Sequence, residues 1–489
     1  MINIKLNSKE LYDKILACWI GKNIGGTMGG PFEATKSTLD IKGFSSPKGE
    51  PLPNDDLDLQ LVWLNTMERN NPKTFDANLL AQTWLTMITP HWNEYGTCKK
   101  NLRLGLLPPL SGEYDNERWR HSNGAWIRCE IWACLAPGVP NVAIKYAIMD
   151  ATIDHGLGEG TYAEIFMAAL QSAAFFETDI KKLIDTALSF IPENCRIYEC
   201  VRYVLDEYEK KTPYLDVRSG LVKMTEDIGW LQAPQNIGFV IIGLLYGAGD
   251  FKKSMIYTIN CGDDTDCTGG TVGAILGILG GTSAIPDDWK EYIGDKIVQI
   301  CANGHYAWRL PKSCTELTER VIKLIPDVLK ANDVEAQIGD FKTEYDKEKS
   351  FGVLKGYADE FFKNRSRFSF DISDYSKLSA KVNYKKAPVI KPNEEFEITV
   401  NFSQVVHSEP VHAFINVLLP DGWSAQYKKN MHVLRKYDLY GDARDGEDCN
   451  TLKIKVTASE NIENINRLYV CATCDGYVLP FIIPVVLLG

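Results

Sequence analysis

Two short acidic runs carry the residue types that could do chemistry in this chain. The first is PNDDLDLQL, with Asn54, Asp55, Asp56 and Asp58; the second is NCGDDTDCTGG, with Asp263, Asp264, Thr265 and Asp266. Each sits where a helix is predicted to begin. Helix N-termini accept capping side chains and negative charge, so some of these aspartates could be caps. Capping does not need three carboxylates within four residues, and such a run repels itself unless a cation offsets it. Magnesium and calcium are hard ions that take oxygen ligands in this arrangement. Cap and metal site stay open for each run, and convergence of the two would make a joint, two-metal site.

Four further stretches hold candidate side chains. The first predicted helix ends in GGTMGGPFE, where Gly25, Gly26, Gly29 and Gly30 give a loop its backbone freedom and Pro31 stops the helix. Glu33 follows as a possible ligand or base. The segment PPLSGEYDNERWRHSNGAWIR offers Asp115, Asn123 and Arg128 in a turn-rich setting suited to holding substrate. DATIDHGLGEGTYAE offers Asp154, His155 and Glu159 among glycines. WLQAPQNIGF places Gln232, Gln235 and Asn236 before an apolar helix, where they could bind a sugar or cap the helix. One C-x2-C pair, Cys471 and Cys474, lies in a strand-like stretch and reads as core rather than zinc.

The elements that must position these residues are mostly helical. Apolar periodicity predicts helices over residues 11–24, 59–67, 77–87, 125–135, 142–153, 162–175, 180–190, 197–209, 239–246, 271–279, 289–300 and 315–327. Small residues in the stretches 239–246 and 271–279 permit close helix packing. From Phe396 the period becomes two, and about seven short strands follow, ending in the apolar residues 477–489. The expected organisation is an all-α domain over residues 1–330, a bridging segment 331–389 and an immunoglobulin-like β-sandwich domain over 390–489. At 489 residues the chain has room for about three domains. Its 53 basic and 64 acidic side chains leave a net charge of -11, which argues against non-specific nucleic-acid binding. No export signal and no apolar run of spanning length is apparent, so 13 scattered cysteines read as reduced thiols of a cytoplasmic protein without membrane contact.

Taken together, the glycine-rich end of the first helix with Glu33, the Asn54-Asp55-Asp56 run and the motif DTDCTGGTVGAILG resemble the ADP-ribosylglycohydrolase family. The resemblance spans roughly residues 10–300 and implies an all-α fold with a binuclear Mg2+ centre, sometimes loaded with Mn2+. It implies hydrolysis of the bond between ADP-ribose and a protein side chain or small acceptor. Carried over residue by residue, it makes Asn54, Asp55, Asp56, Asp264 and Asp266 metal ligands and places Glu33 beside the scissile bond. Asn123, Arg128 and His155 resemble parts of the family's central loops. Three positions depart from the pattern: Asn54 stands for a threonine, Cys267 for a threonine and Gly26 for an aspartate. A thiol is a poor partner for magnesium.

The expected mechanism is metal-assisted glycosidic hydrolysis, with one or two ions, Glu33 activating water, and Asp115, His155 or Glu159 aiding the leaving group. Gln235 and Asn236 join Asn123 and Arg128 as expected substrate contacts. The expected partner is a small-molecule or ADP-ribosylated substrate, with oligomeric state left open. Hydrolysis of another ribosyl, nucleoside or sugar glycoside is the alternative enzyme reading. A ligand binder without turnover is the non-enzymatic one.

Overall fold

The computed structural model describes residues 2–363, 365–373, 378–404, 411–434 and 450–489. The chain forms two compact units. One comprises Met1–Gly96 with Asn116–Lys363, the other Thr97–Asp115 with Asn364–Gly489. Each is described separately below.

The first unit is a helical domain. Its first helix, Ser8–Gly29, is capped by Asn7, whose side chain accepts the Lys9 and Glu10 N–H groups. That helix runs antiparallel to the helix Thr265–Gly280 along a seam of small residues. An ideal Cβ on Gly21 would lie 2.1 Å from Gly273 O, one on Gly25 2.2 Å from Gly269 O, and one on Gly29 2.2 Å from Thr265 O. On the facing helix, a Cβ on Gly277 would lie 2.2 Å from Ala17 O. The spacing of four along each helix keeps these residues on one face. Gly25 and Gly26 are therefore helical residues, and the expected loop begins only after Gly29. The reason is that absent side chains let the two backbones touch, which stabilises more than glycine's entropy costs the helix.

Around this pair, Pro140–Asp154 and Glu159–Ala173 are buried on nearly every side. The unit also holds one two-stranded parallel pairing, β1 (Ile2–Asn7) with β2 (Val334–Gly339). Residues 331–363, expected to bridge, thus belong to the first unit: β2 and the short helices Lys347–Gly352 and Tyr357–Phe362 lie within it. The partner of β2 is more than three hundred residues away, so local pattern could not reveal it. The helix expected over 289–300 stops at Ile293 because Gly294, at φ +71, turns the chain away. Among the described residues no helix is long and apolar enough to cross a membrane.

The second unit is a β-sandwich. Its strands are β3 (Ser369–Ser373), β4 (Leu378–Asn383), β5 (Glu395–Gln404), β6 (Val411–Leu418), β7 (Ser424–Tyr427), β8 (Asn430–Val433), β9 (Thr451–Thr457), β10 (Ile465–Cys474) and β11 (Phe481–Leu488). They form a five-stranded sheet, β3-β4-β5-β9-β7, and a four-stranded sheet, β11-β10-β6-β8. Alternate residues point inward, so Phe396, Ile398, Val400, Ala413, Ile415, Leu452, Ile454, Leu468 and Val470 build one core. Leu106 and Leu110, from the segment Thr97–Asp115, join that core. Residues 385–393 also belong to the sandwich, since the Ile390 N–H donates to Leu488 O. Cys471 and Cys474 stand three apart on β10 and so face opposite sides of the sheet, which excludes their acting as a chelating pair.

The helix seam yields the first prediction. Gly25→Ala should destabilise the protein by about 1–3 kcal/mol through overpacking, outweighing the ~1 kcal/mol that alanine adds to helix propensity. A lowered urea midpoint would register it; a raised midpoint would mean that the backbones do not touch.

Candidate metal centre

Three chain segments converge at the end of this seam. The first helix closes at Gly29, and one tight turn, Gly30–Phe32, delivers Glu33. The helix Asp55–Arg69 starts at Asn54, whose Oδ1 accepts the Asp56 N–H at 2.8 Å. Asp55 and Asp56 thus occupy a first turn, where the helix dipole favours negative charge. The third segment turns at Asp263, whose φ of +64 lies in the left-handed region. Its carboxylate secures that turn by accepting from the Leu231 N–H at 3.1 Å and from the Gln235 and Asn236 amides at 2.8 Å each. Asp264 then takes the N-cap position of Thr265–Gly280, with Asp266 in its first turn.

The result is two groups of ligand-type atoms that share Asp266. Glu33, Asp264 and Asp266 form one, and Asp56, Asp266 and Cys267 the other, with the atoms of each lying within 4.8 Å of one another. Glu33, Asp55, Asp264, Asp266 and Cys267 line a cavity of about 430 Å³, a size suited to a small molecule. Burial, then Asp56, pushes Asp55 up to about 6, although Tyr95 Oη donates to Asp55 Oδ2 at 2.8 Å. Burial takes Asp56 to about 7 against the pull of Lys22, and takes Asp266 to about 7 with added repulsion from Glu33. Asp264 is raised by burial and then by Asp266 and Glu33, and Glu33 by partial burial and then by Asp55 and Asp56. Asp264 Oδ1, Asp266 Oδ1 and Asp56 Oδ2 are buried and accept no hydrogen bond. Such oxygens are costly unless a cation meets them, so the residues present fit a hard divalent ion.

A family model described as ADP-ribosylglycohydrolase matches residues 7–321. The chain belongs to the ADP-ribosylglycohydrolase family. Among solved structures, an ADP-ribosylglycohydrolase-related protein complex is similar at 18% identity and a TM-score of 0.45, covering 65% of this chain and 99% of that one. The GAE domain of GGA2p from Saccharomyces cerevisiae is similar at 10% identity and a TM-score of 0.15, over 25% of this chain and 96% of that one. No curated protein matches the chain.

Within this ADP-ribosylglycohydrolase domain, the sequence-predicted site residues divide sharply. Glu33, Asn54, Asp55, Asn123, Asp264 and Asp266 line the cavity, and Asp56 adjoins it through the ligand group it shares with Asp266. Asn54 spends its amide oxygen on its cap, and a Cβ on Gly26 would lie 2.1 Å from Asn54 Nδ2, so the two departures fit each other. Asn123 Nδ2 donates to Asp264 Oδ2 at 2.5 Å. Gln235 and Asn236 are committed to Asp263 and do not line the cavity. Arg128 is fully buried; it donates through Nε to Asp150 at 3.0 Å and through both terminal nitrogens to Asp154 at 2.9 Å. His155, also fully buried, bridges Asp154 Oδ1 at 2.9 Å and Ser122 Oγ at 3.1 Å. Glu159 caps a neighbouring helix by accepting the Arg196 and Ile197 N–H groups at 3.0 and 3.1 Å. Asp115 belongs to the second unit, where it pairs with Lys100 on an exposed surface. Asp58 points to the loop at Ile300 and Cys301 and accepts both N–H groups.

Four residues around the centre escaped the sequence reading. Lys22 is buried and meets Asp56 at 3.0 Å and Glu130 at 3.1 Å. Burial alone would lower its pKa, but the two carboxylates override that and raise it. A lone lysine inside ILACWIGKNIGG was a visible signal. Glu94 and Tyr95 line the cavity from HWNEYG, and Ser122 from the central loop; nothing local distinguishes them. Glu94 is raised by burial, with His155 opposing.

Asp55, Asp56 and Asp266 are pushed up to about 6 to 7, against about 4 in an unfolded chain. Their folded pKa is raised, so their contribution to stability is complete below about pH 4 and is lost as pH climbs through about 7. Protein held in chelator should therefore melt lower at pH 8 than at pH 5.5, and the increment in Tm on adding Mn2+ should grow across that window. Calorimetry at matched ionic strength tests this; a chelated protein that grows more stable toward pH 8 would contradict it.

Proposed function

We propose that this domain is a divalent-metal-dependent hydrolase of a glycosidic bond in an ADP-ribose-like substrate. The observation that carries the reading is the pair of donor-less buried oxygens on Asp264 and Asp266, facing Glu33 in the lined cavity. Asp264 and Asp266 would hold Mg2+ or Mn2+, with Asp55 and Asp56 adding negative charge to the site and Asn54 fixing the first turn that presents them. An ion held there would supply positive charge that offsets these carboxylates and a Lewis acid for sugar hydroxyls. Glu33, with a raised pKa and a place at the cavity, accepts a proton from the attacking water. The surrounding carboxylates favour the positive charge that develops at the anomeric carbon. Asp115, His155 and Glu159 are engaged elsewhere. The leaving-group proton is assigned to Glu94, which lines the cavity and is raised by burial.

A second reading concerns the substrate. Five carboxyl side chains, Glu33, Asp55, Glu94, Asp264 and Asp266, line the cavity. Their field repels a diphosphate until the ion is bound, and so favours a neutral nucleoside or sugar glycoside. Titrating the Mn2+-loaded protein with ADP-ribose and, separately, with a nucleoside separates the two. Binding of ADP-ribose that Asp264→Asn abolishes supports the first reading; binding of the nucleoside alone supports the second. Glu33→Gln should retain ligand binding and lower kcat by roughly 10²–10⁴-fold. Unchanged kcat in that variant would remove Glu33 from the reaction.

A further inference from the structure

We propose that Lys22 is a built-in cation on the Asp56 side of the centre, so that the chain takes up one exchangeable divalent ion, on the Asp264 and Asp266 side that faces Glu33. The inference rests on the reading of this cavity as a metal centre and concerns how many ions it takes. Four oxygens surround the Lys22 ammonium: Ile127 O at 2.7 Å, Asp56 Oδ2 at 3.0 Å, Glu130 Oε1 at 3.1 Å and Thr271 Oγ1 at 3.3 Å. Two carboxylates, a carbonyl and a hydroxyl are the oxygen donors a hard cation takes. Here a fixed positive charge already occupies their centre.

The surrounding residues lock that charge in place. Glu130 is braced by Gln60 Nε2 at 2.9 Å and Gln171 Nε2 at 3.2 Å. Gln60 in turn accepts the Ile131 N–H at 2.8 Å. The aliphatic stem of Lys22 lies against Gly270, where a Cβ would come within 3.1 Å of it. The remaining oxygen of Asp56 is engaged as well, since the Cys267 thiol donates to Oδ1 at 3.3 Å. Asp56 thus has a partner from this chain on each oxygen, one cationic and one a thiol. A thiol is also a weak ligand for magnesium.

The other group differs in charge. Asp264 Oδ1 and Asp266 Oδ1 accept no hydrogen bond, as is also true of Asp56 Oδ2, but Asp56 Oδ2 has the Lys22 ammonium 3.0 Å away, whereas no Lys or Arg nitrogen forms an ion pair with Glu33, Asp264 or Asp266 among the described residues. An added ion is needed there and superfluous beside Lys22. The resemblance to a binuclear family centre therefore converts, in this chain, to one added ion and one ammonium.

The test is the number of ions held by the full chain. Wild-type protein is dialysed to equilibrium against saturating Mn2+, the bound metal is counted by plasma mass spectrometry, and the electron paramagnetic resonance spectrum is recorded. One ion per chain with the hyperfine pattern of isolated Mn2+ is expected. Two ions per chain, or the spectrum of an exchange-coupled pair, would overturn the inference and leave the metal-dependent reading standing. No bound ion would overturn both. The variant Lys22→Met combined with Cys267→Thr removes the ammonium and supplies a hydroxyl oxygen; its folding is checked by circular dichroism. If folded, it should take up a second Mn2+ and show exchange coupling, and a ratio that stays at one would overturn the assignment to Lys22. If it does not fold, the wild-type ratio and spectrum decide alone.

Discussion

Backbone contact between two helices is the constraint on which the centre depends. Gly21, Gly25 and Gly29 of one helix meet Gly273, Gly269 and Thr265 of the other with no side chain between them. Side-chain packing tolerates rotamer changes; carbonyl oxygens against glycine carbons do not. The offset between the two helices is consequently fixed. Glu33 hangs from the C-terminal end of one and Asp264 and Asp266 from the N-terminal end of the other. Functional groups need placement to within roughly 0.5 Å; a rigid seam one turn away supplies it, and the hydrogen bond from Asn123 to Asp264 adds to it.

Buried charge provides the second level of support. Arg128 holds Asp150 and Asp154, Asp154 holds His155, and His155 reaches Ser122, beside the Asn123 that contacts Asp264. Against burial, Arg128 and His155 keep Asp154 down at about 2, so this carboxylate stays ionised. Removing one partner from such a buried set leaves an uncompensated charge and is far more costly than the pair is stabilising. Arg128 and His155 thus act by positioning the central loop. Their chemistry-bearing side chains drew notice in the sequence, but a guanidinium matched on every side has little left to offer a substrate.

How much was legible follows from the range over which each signal acts. The acidic runs and Glu33 were readable because unusual residues stand adjacent in the chain, and the helical and two-residue periods were readable for the same reason. For Gln235 and Asn236, expected at the substrate, the contact with Asp263 was not legible because it lies 28 and 27 residues away. Glu159 was misassigned because it caps a helix that starts 37 residues later. The parallel pairing of β1 and β2 and the contribution of Leu106 and Leu110 to the sandwich core are likewise long-range facts. Asp115 shows the limit most plainly: a turn-rich loop suggests function, but this aspartate lies in a different compact unit from the cavity.

The departures from the family pattern form one physical set. Gly26 is the space into which the Asn54 amide fits, and Asn54 turns its oxygen to the helix cap. Cys267 gives its thiol hydrogen to Asp56, whose other oxygen faces Lys22. Asn54 caps the turn that carries Asp55 and Asp56, Gly26 leaves room for its amide, and Cys267 donates to Asp56. Asp264, Asp266 and Glu33 match the residue types of the family pattern, and Asp264 Oδ1 and Asp266 Oδ1 accept no hydrogen bond. The Lys22 ammonium sits in its own shell of four oxygens beside Asp56, so positive charge on that side comes from within the chain, whereas none from the chain faces Asp264 and Asp266 among the described residues.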